Sequence, residues 1–261
     1  KSRILKLPFI RGFVNLAEML VIGIKALLWS AEQTAPKGEK IGKNEFAMSF
    51  LMSIVAVILI FVAVPYFITN LAGFYEEKNP ILFNIIDGLI RIIFFLIYIT
   101  AISFMKDVRI LFQYHGAEHK AIHCYEKGKK LEVNNVRKFT TLHPRCGTSF
   151  LLIVFIVSIF VFSLLPTFIT AYYPSFFGMN AWLRKGILIP IRILLVPIIA
   201  GISYEILKIS DKHQQNPLFR LITLPGLALQ KITTREPNAR QTEVAIYSLK
   251  KLLAIESKSR K

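Results

Sequence analysis

Long apolar runs alternate with polar segments along the chain. Four of these runs are long enough to cross a hydrocarbon core of about 30 Å, for which an α-helix needs roughly 20 residues. They lie near Phe46–Leu71, Ile81–Met105, Ser149–Tyr172 and Gly186–Ile209. The pattern predicts an all-α membrane protein with about four transmembrane helices.

A further apolar stretch, Leu7–Leu28, is interrupted by polar residues that fall roughly on one face of a helix. These residues are Arg11, Asn15, Glu18 and Lys25. An amphipathic helix in the membrane interface is the first interpretation of this stretch, and a short re-entrant helix is the second. A polar linker, Ser30–Gly42, follows it. At the other end of the chain, a helix is predicted to begin near Pro237 in a basic tail.

These features divide the chain into five segments with different roles. The segments are 1–45 (N-terminal amphipathic helix and polar linker), 46–105 (transmembrane helices 1 and 2), 106–148 (a loop containing histidines and cysteines), 149–209 (transmembrane helices 3 and 4) and 210–261 (basic tail with a helix).

The distribution of charge predicts how the chain is oriented in the membrane. The 261 residues are 54% hydrophobic yet carry a formal net charge of +17. Eight Lys and Arg precede the first run, nine lie in the loop 106–148 and ten follow position 209, whereas the two other connections hold one and two. The positive-inside rule therefore places both termini and the loop in the cytoplasm. Cys124 and Cys146 then lie in a reducing compartment, where a disulfide is not expected.

Charged residues inside the apolar runs need partners, because each costs about 2.5–3.5 kcal/mol or more when it is left alone at mid-bilayer. Asp87 and Arg91 are four residues apart, which lets them pair on one face of a helix. We interpret them as a membrane-embedded ion pair, with a polar lining shared with a cytoplasmic site as the alternative. Arg192, in the fourth run, raises the same question.

The loop begins with a stretch rich in metal-ligand residue types, FQYHGAEHKAIHCYE (112–126). In a helix, His115 and His119 lie one turn apart on one face, a spacing that lets two imidazoles bind one metal ion. HGAEH also fits the pattern H-x-x-E-H of inverted zinc hydrolases, in which the glutamate, here Glu118, is the general base. His123 lies two turns from His115. It is a candidate for a third ligand or for a residue of the outer shell.

A second stretch, LHPRCGTSF (142–150), places His143 and Cys146 at a spacing from which both can reach one metal ion. His115, His119 and His143 with a water would form a catalytic site with an open position, whereas the addition of Cys146 would close it into a structural site. Two interpretations without metal stay open. One is Cys146 as a nucleophile with a histidine base; the other is a set of hydrogen-bonding polar residues where the loop returns to the membrane.

Two more stretches, GISYEILK (201–208) and PGLALQKITTREP (225–237), stand out beside these. Together the four stretches resemble the YqhQ-like family of bacterial membrane proteins, and the resemblance extends over nearly the whole chain. It implies a metal-dependent enzyme of the bacterial inner membrane, with no assigned reaction. The signature positions that it implies are His115, Glu118, His119, His143, Cys146, Tyr204–Glu205 and Arg235–Glu236.

Two functions from different classes follow. The first is a membrane-embedded, zinc-dependent enzyme of the hydrolase type at the cytoplasmic membrane surface, with Glu118 as base and His143 or Glu205 as third ligand. Its substrate would be a lipid, a lipid-linked molecule or a membrane-protein segment, and Arg145 would bind its phosphate or carboxylate. The second is a non-enzymatic accessory of a membrane assembly such as the ribosome or protein translocon. Its basic face would contact RNA or anionic lipid, and its zinc site would be structural.

Overall fold

The computed structural model describes residues 7, 10–34, 43–213 and 215–259. Within these residues the backbone is helical, with short connections and no β-strand, which confirms the predicted all-α membrane protein. The helices are α1 (Ile10–Thr34), α2 (Lys43–Ile58), a π-helical turn (Leu59–Ala63), α3 (Val64–Leu71), α4 (Pro80–Ile102), α5 (Lys106–Glu126), α6 (Val133–Val136), α7 (Gly147–Tyr172), a 3-10 turn (Pro174–Gly178), α8 (Ala181–Lys212), α9 (Pro217–Thr233) and α10 (Ala239–Ser259).

Five helical segments in the described part of the chain are long and apolar enough to cross a membrane. They are Ile10–Ser30, Ala47–Leu71, Pro80–Ile102, Gly147–Tyr172 and Trp182–Lys212. The last four coincide with the four predicted runs. The first is the stretch for which the sequence predicts an interfacial or re-entrant helix, and it qualifies as a fifth candidate span.

Two polar residues of α1, Arg11 and Asn15, contact another helix, which the sequence pattern did not indicate. Arg11 Nε and Nη2 donate to the two carboxylate oxygens of Glu205, at 2.7 and 2.5 Å, and Asn15 Nδ2 donates to the Tyr204 hydroxyl at 3.1 Å. Gly12 permits this approach, because a Cβ there would lie 2.8 Å from Tyr204 Cβ. Polar residues that bind a neighbouring helix are compatible with a membrane span.

The number of crossings decides the relative orientation of the two chain ends. An even number, as the sequence predicts, puts both ends on the same side, and a crossing by α1 puts them on opposite sides. The predicted polar linker Ser30–Gly42 is helical as far as Thr34, and its remainder, 35–42, lies outside the described residues.

The described chain forms two compact units. Unit 1 contains the residues up to Phe95 and Val154–Ile206; unit 2 contains Leu96–Ile153 and the residues from Leu207 onward. The candidate metal ligands of the loop all belong to unit 2, whereas Glu205 belongs to unit 1.

Three charged residues that the sequence places inside the apolar runs of unit 1, Asp87, Arg91 and Arg192, are paired. Arg91 Nε donates to Asp87 Oδ2 at 2.8 Å, on one face of α4. Arg192 Nη2 donates to Glu76 Oε1 and to Asn84 Oδ1, each at 3.0 Å. Since an isolated charge in hydrocarbon is costly, these pairs make the polar residues of α4 and α8 compatible with burial in a membrane.

Unit 2 is built around α5, which packs against α6 and α10. Its small apolar core consists of Ala121, Cys124, Val136 and Ile246. The Cys124 side chain is fully buried there, its Sγ donates to the Lys130 carbonyl at 3.5 Å, and burial raises its pKa. Cys124 is therefore a packing residue, and Cys146 is the cysteine available for chemistry.

The segment that follows α9 lies directly on α5. The Arg235 N–H donates to the Phe112 carbonyl at 2.9 Å, and a Cβ at Gly116 would lie 2.1 Å from the Arg235 carbonyl oxygen. Only glycine fits this contact without a shift of backbone. The contact positions residues 233–236 beside the histidine face of α5.

Gly116→Ala should therefore destabilise the protein by at least about 1–3 kcal/mol, the usual cost of overpacking, because backbone must move to admit the methyl group. The measurement is the thermal unfolding midpoint of the detergent-solubilised protein. Gly186→Ala in α8 is the matched control, since a Cβ there meets nothing within 4 Å. Equal midpoints for the two variants would contradict the contact.

Candidate metal centre

One face of α5 presents a row of histidines. His115, His119 and His123 are each one turn apart, and Glu126 lies on the same face at the end of the helix. The segment 140–146 and the end of α9 cover this row, which brings Cys146 and His143 to it. The predicted alignment of the three histidines on one helix face is thus present in α5.

Three of the predicted ligands converge. One ligand atom each from His115, His119 and Cys146 lie within 4.8 Å of one another, and His115 Nε2 is 3.2 Å from Cys146 Sγ. His119 is 3% exposed and Cys146 is 9% exposed. Two imidazoles and a thiol this close, and this well buried, fit a metal site.

Hydrogen bonds orient both imidazoles toward the centre of this group. His115 Nδ1 donates to the Thr233 carbonyl at 2.8 Å, and His119 Nδ1 donates to the Thr141 carbonyl at 2.5 Å. Metal-binding histidines usually donate their second ring N–H to such an acceptor, which fixes the tautomer and the direction of the free nitrogen. Both Nε2 atoms are thereby assigned to the ligand position.

The environment of Cys146 favours its thiolate, the form that binds metals. Burial raises the pKa of the thiol, but hydrogen bonds from His115, His119 and Thr148 outweigh this and lower the pKa to about 5. Conversely, burial lowers the pKa of His115, yet the hydrogen bond and charge of Cys146 raise it above its usual value. In the metal-free protein Cys146 is therefore a thiolate above about pH 5, and the raised pKa of His115 favours the imidazolium beside it. Metal binding would displace the Nε2 proton.

A second group lies next to the first. It consists of His123, Glu126 and His143, whose ligand atoms also lie within 4.8 Å of one another. The His119 and His143 rings are 5.6 Å apart between centroids. His143, which the sequence predicts as a ligand beside His115 and His119, therefore belongs to the neighbouring group.

The hydrogen bonds of the second group make it a poorer metal site than the first. His143 Nδ1 accepts from the Arg145 N–H at 3.2 Å, so the neutral ring carries its proton on Nε2, which faces Glu126 Oε2 at 3.4 Å. His123 Nε2 donates to the Leu142 carbonyl at 2.9 Å. Burial and the charge of His123 lower the pKa of His143, although Glu126 opposes this. The group is best described as an imidazole–carboxylate pair.

Glu118 supplies no ligand atom to either group. It is exposed and lines a groove of about 340 Å³ between α5 and α10, together with Tyr114, Ile122 and Leu249. Its negative charge still contributes to raising the pKa of His115. Glu118 is therefore a neighbour of the cluster without being one of its ligands.

The remaining predicted site residues have protein partners. Arg145 Nε donates to Asp211 Oδ2 at 2.8 Å, and Arg145 Nη1 lies 3.2 Å from Glu126 Oε1. Glu205 is bound by Arg11 within unit 1. Glu126 is the site residue that sequence reasoning missed, although its position three residues after His123 on the same helix is a signal that could have identified it.

Comparison with known proteins gives a family but no reaction. A family described as "Protein of unknown function (DUF1385)" matches residues 7–255. The uncharacterized protein YqhQ of Bacillus subtilis (strain 168) is 35% identical over 269 residues, which cover 97% of this chain and 79% of the relative. No solved structure matches the chain.

The lowered pKa of Cys146 predicts a distinctive reactivity. In metal-free protein, alkylation of Cys146 by iodoacetamide should have its midpoint near pH 5, because the thiolate fraction falls only below that pH. A free cysteine has its midpoint at about pH 8.5. Site-resolved mass spectrometry of the wild type measures both cysteines at once, and Cys124, whose pKa is raised, is the internal reference. His115→Ala should move the Cys146 midpoint upward, and an unchanged midpoint would contradict the thiolate–imidazolium pair.

Proposed function

The chain belongs to the DUF1385 family, and from the chemistry of its His/Cys cluster we propose that it is a membrane-embedded, zinc-dependent enzyme of the hydrolase type. The observation that carries the proposal is the convergence of two imidazole Nε2 atoms and one thiolate within 4.8 Å. The Nδ1 atoms of both imidazoles are held by main-chain carbonyls.

The ligand set favours zinc. One thiolate and two imidazoles form a borderline-soft set that suits Zn²⁺, and three protein ligands leave a fourth tetrahedral position open, as in catalytic zinc sites. Zinc in such a site lowers the pKa of a coordinated water to about 7. A closed, four-ligand site would need a further side chain within the same group.

Glu118 is the proposed general base. A base needs a lone pair that no donor already occupies. Glu126 is bound by Arg145 and His143, whereas no hydrogen bond or ion pair to Glu118 occurs among the described residues. In the H-x-x-E-H pattern, this glutamate removes a proton from the attacking water. The Glu126–His143 pair would then hold the turn that carries Cys146.

The substrate class follows from the position of the ligands along the chain. Cys146 directly precedes the candidate span Gly147–Tyr172, and α5 begins four residues after the end of α4. A metal bound there would lie at the membrane surface, on the side that the positive-inside rule assigns to the cytoplasm. We propose a lipid, a lipid-linked molecule or a membrane-protein segment as the substrate.

A second function, a non-enzymatic accessory of a membrane assembly such as the ribosome or protein translocon, is favoured by one observation. His119 and Cys146 are almost fully buried, as ligands of structural zinc often are. In that case the zinc would stabilise the loop, and the basic tail would contact RNA or anionic lipid.

Elemental mass spectrometry of the purified chain should find about one zinc per chain, held by the first group of ligands. His119→Ala and Cys146→Ala should lose it, whereas His143→Ala, in the second group, should retain it. His213→Ala is the matched control, because this exposed histidine stacks on Phe219 outside the cluster. Loss of zinc from His143→Ala together with retention by His119→Ala would refute the assignment, as would folded wild-type protein that binds none.

Glu118→Gln should retain zinc and the wild-type melting temperature, yet lose turnover by about 10²–10⁴-fold, the usual contribution of a general base. The assay incubates reconstituted protein with anionic phospholipids, lipid-linked phosphates and a transmembrane peptide, and detects products by mass spectrometry. Glu243→Gln, at an exposed position of α10 outside both groups, is the matched carboxylate control and should keep the activity. Absence of turnover on every substrate, with a large fall in melting temperature for His119→Ala, would favour the structural-zinc accessory instead.

A further inference from the structure

A polar cavity of about 520 Å³ lies within unit 2, between α5, the segment 140–142 and the residues after α9. Three cationic side chains line it: Arg109, Lys231 and Arg235. Thr140, Thr141 and Thr234 line it as well. Neither the metal ligands nor Glu118 contribute to its wall, so the cavity is separate from the proposed enzyme site.

The positive charge of this cavity is not neutralised by the protein. Glu236 is the one carboxylate in the wall, and its Oε2 already lies 2.6 Å from the buried Lys120 Nζ. Among the described residues, no carboxylate lies within ion-pair distance of Arg109, Lys231 or Arg235. Clustered cations repel one another, so such an arrangement favours an anionic ligand.

The main chain of Arg235 is fixed by contacts with α5, but its guanidinium Nε lacks a hydrogen-bond acceptor among the described residues. Its main-chain N–H donates to Phe112 and its carbonyl rests on Gly116, which fixes the residue against α5. Its Nε is buried and has no hydrogen-bond partner in the described structure. A buried guanidinium N–H without an acceptor costs free energy, and a ligand oxygen would remove that cost.

Gln113 adds a further donor group to the wall. It lines the cavity, and its Oε1 accepts from Gln241 Nε2 at 2.9 Å. Its amide N–H groups are therefore available as donors to a ligand. Two guanidinium groups, an ammonium, an amide and hydroxyls together match a group with several acceptor oxygens.

We propose that this cavity binds a phosphate group. Arginine forks and lysine favour phosphate oxygens, and a volume of about 520 Å³ exceeds that of a phosphate alone, which leaves room for the molecule that bears it. The phosphate could come from a lipid headgroup or from solution, and the chemistry of the wall is the same for both. The proposal does not depend on zinc binding or on catalysis.

The test uses isothermal titration calorimetry on the full chain in neutral detergent. The titrants are inorganic phosphate and short-chain phosphatidic acid, with short-chain phosphatidylcholine as the zwitterionic comparison. The variant is Arg109→Gln with Lys231→Gln, because both side chains are exposed and their loss leaves the packing intact. The matched control is Arg240→Gln with Lys250→Gln, which removes the same charge from exposed positions of α10 outside the cavity.

We expect the cavity variant to bind at least about tenfold more weakly than the wild type, as loss of charged hydrogen bonds implies, and the control to bind as the wild type does. Equal binding of both titrants would assign the site to a free phosphate group, and binding of phosphatidic acid alone would assign it to a lipid headgroup. The proposal is overturned if neither titrant binds, if the control weakens binding as much as the cavity variant, or if phosphatidylcholine binds as tightly as phosphatidic acid.

Discussion

The buried amide of Gln230 is the interaction on which the His/Cys cluster depends. Its Oε1 accepts from the His143 N–H at 2.7 Å, and its Nε2 donates to the His143 carbonyl and to Ser149 Oγ, each at 2.8 Å. Both ends of the turn that carries Cys146 are thereby fixed to α9. A Cβ at Gly226 would lie 2.6 Å from Ser149 Cβ, so α9 crosses the start of α7 at close range. Because the amide is buried and its oxygen and nitrogen are both hydrogen-bonded, it specifies a single arrangement of the turn on α9.

Two neighbouring sets of histidines acquire different chemistry from the hydrogen bonds behind them. Main-chain carbonyls accept from His115 and His119, which leaves the inner nitrogens of both rings for a metal or a thiolate. A main-chain N–H instead faces His143, which turns its other nitrogen into a donor toward Glu126. Residue type alone does not distinguish these cases, because the polarity of the nearest peptide group assigns the role of each imidazole.

Much of the fold and part of the site could be predicted from local sequence. Hydrophobic runs identified four spans because length and composition suffice, and helical spacing brought His115 and His119 together. The true partners of α1 could not be predicted, since Arg11 and Glu205 are 194 residues apart in sequence. The separation of His143 from its predicted partners could not be predicted either, because it depends on the register between the turn and α5. Contacts between residues far apart in sequence leave no periodic pattern in the sequence. These contacts determined the helix partners and the ligand groups that local propensity does not specify.

The peptide groups that accept hydrogen bonds from His115 and His119 also connect the His/Cys cluster to the polar cavity of unit 2. Thr141 accepts from His119 through its carbonyl and also lines the cavity. Thr233 accepts from His115 through its carbonyl and directly precedes the cavity residues Thr234 and Arg235. An occupant that shifts these peptides changes the orientation of the imidazoles. Thermodynamic reciprocity then requires that a metal ion alter the affinity for that occupant by the same factor by which the occupant alters the affinity for the metal. Binding at either site would therefore alter binding at the other through the backbone that lies between them.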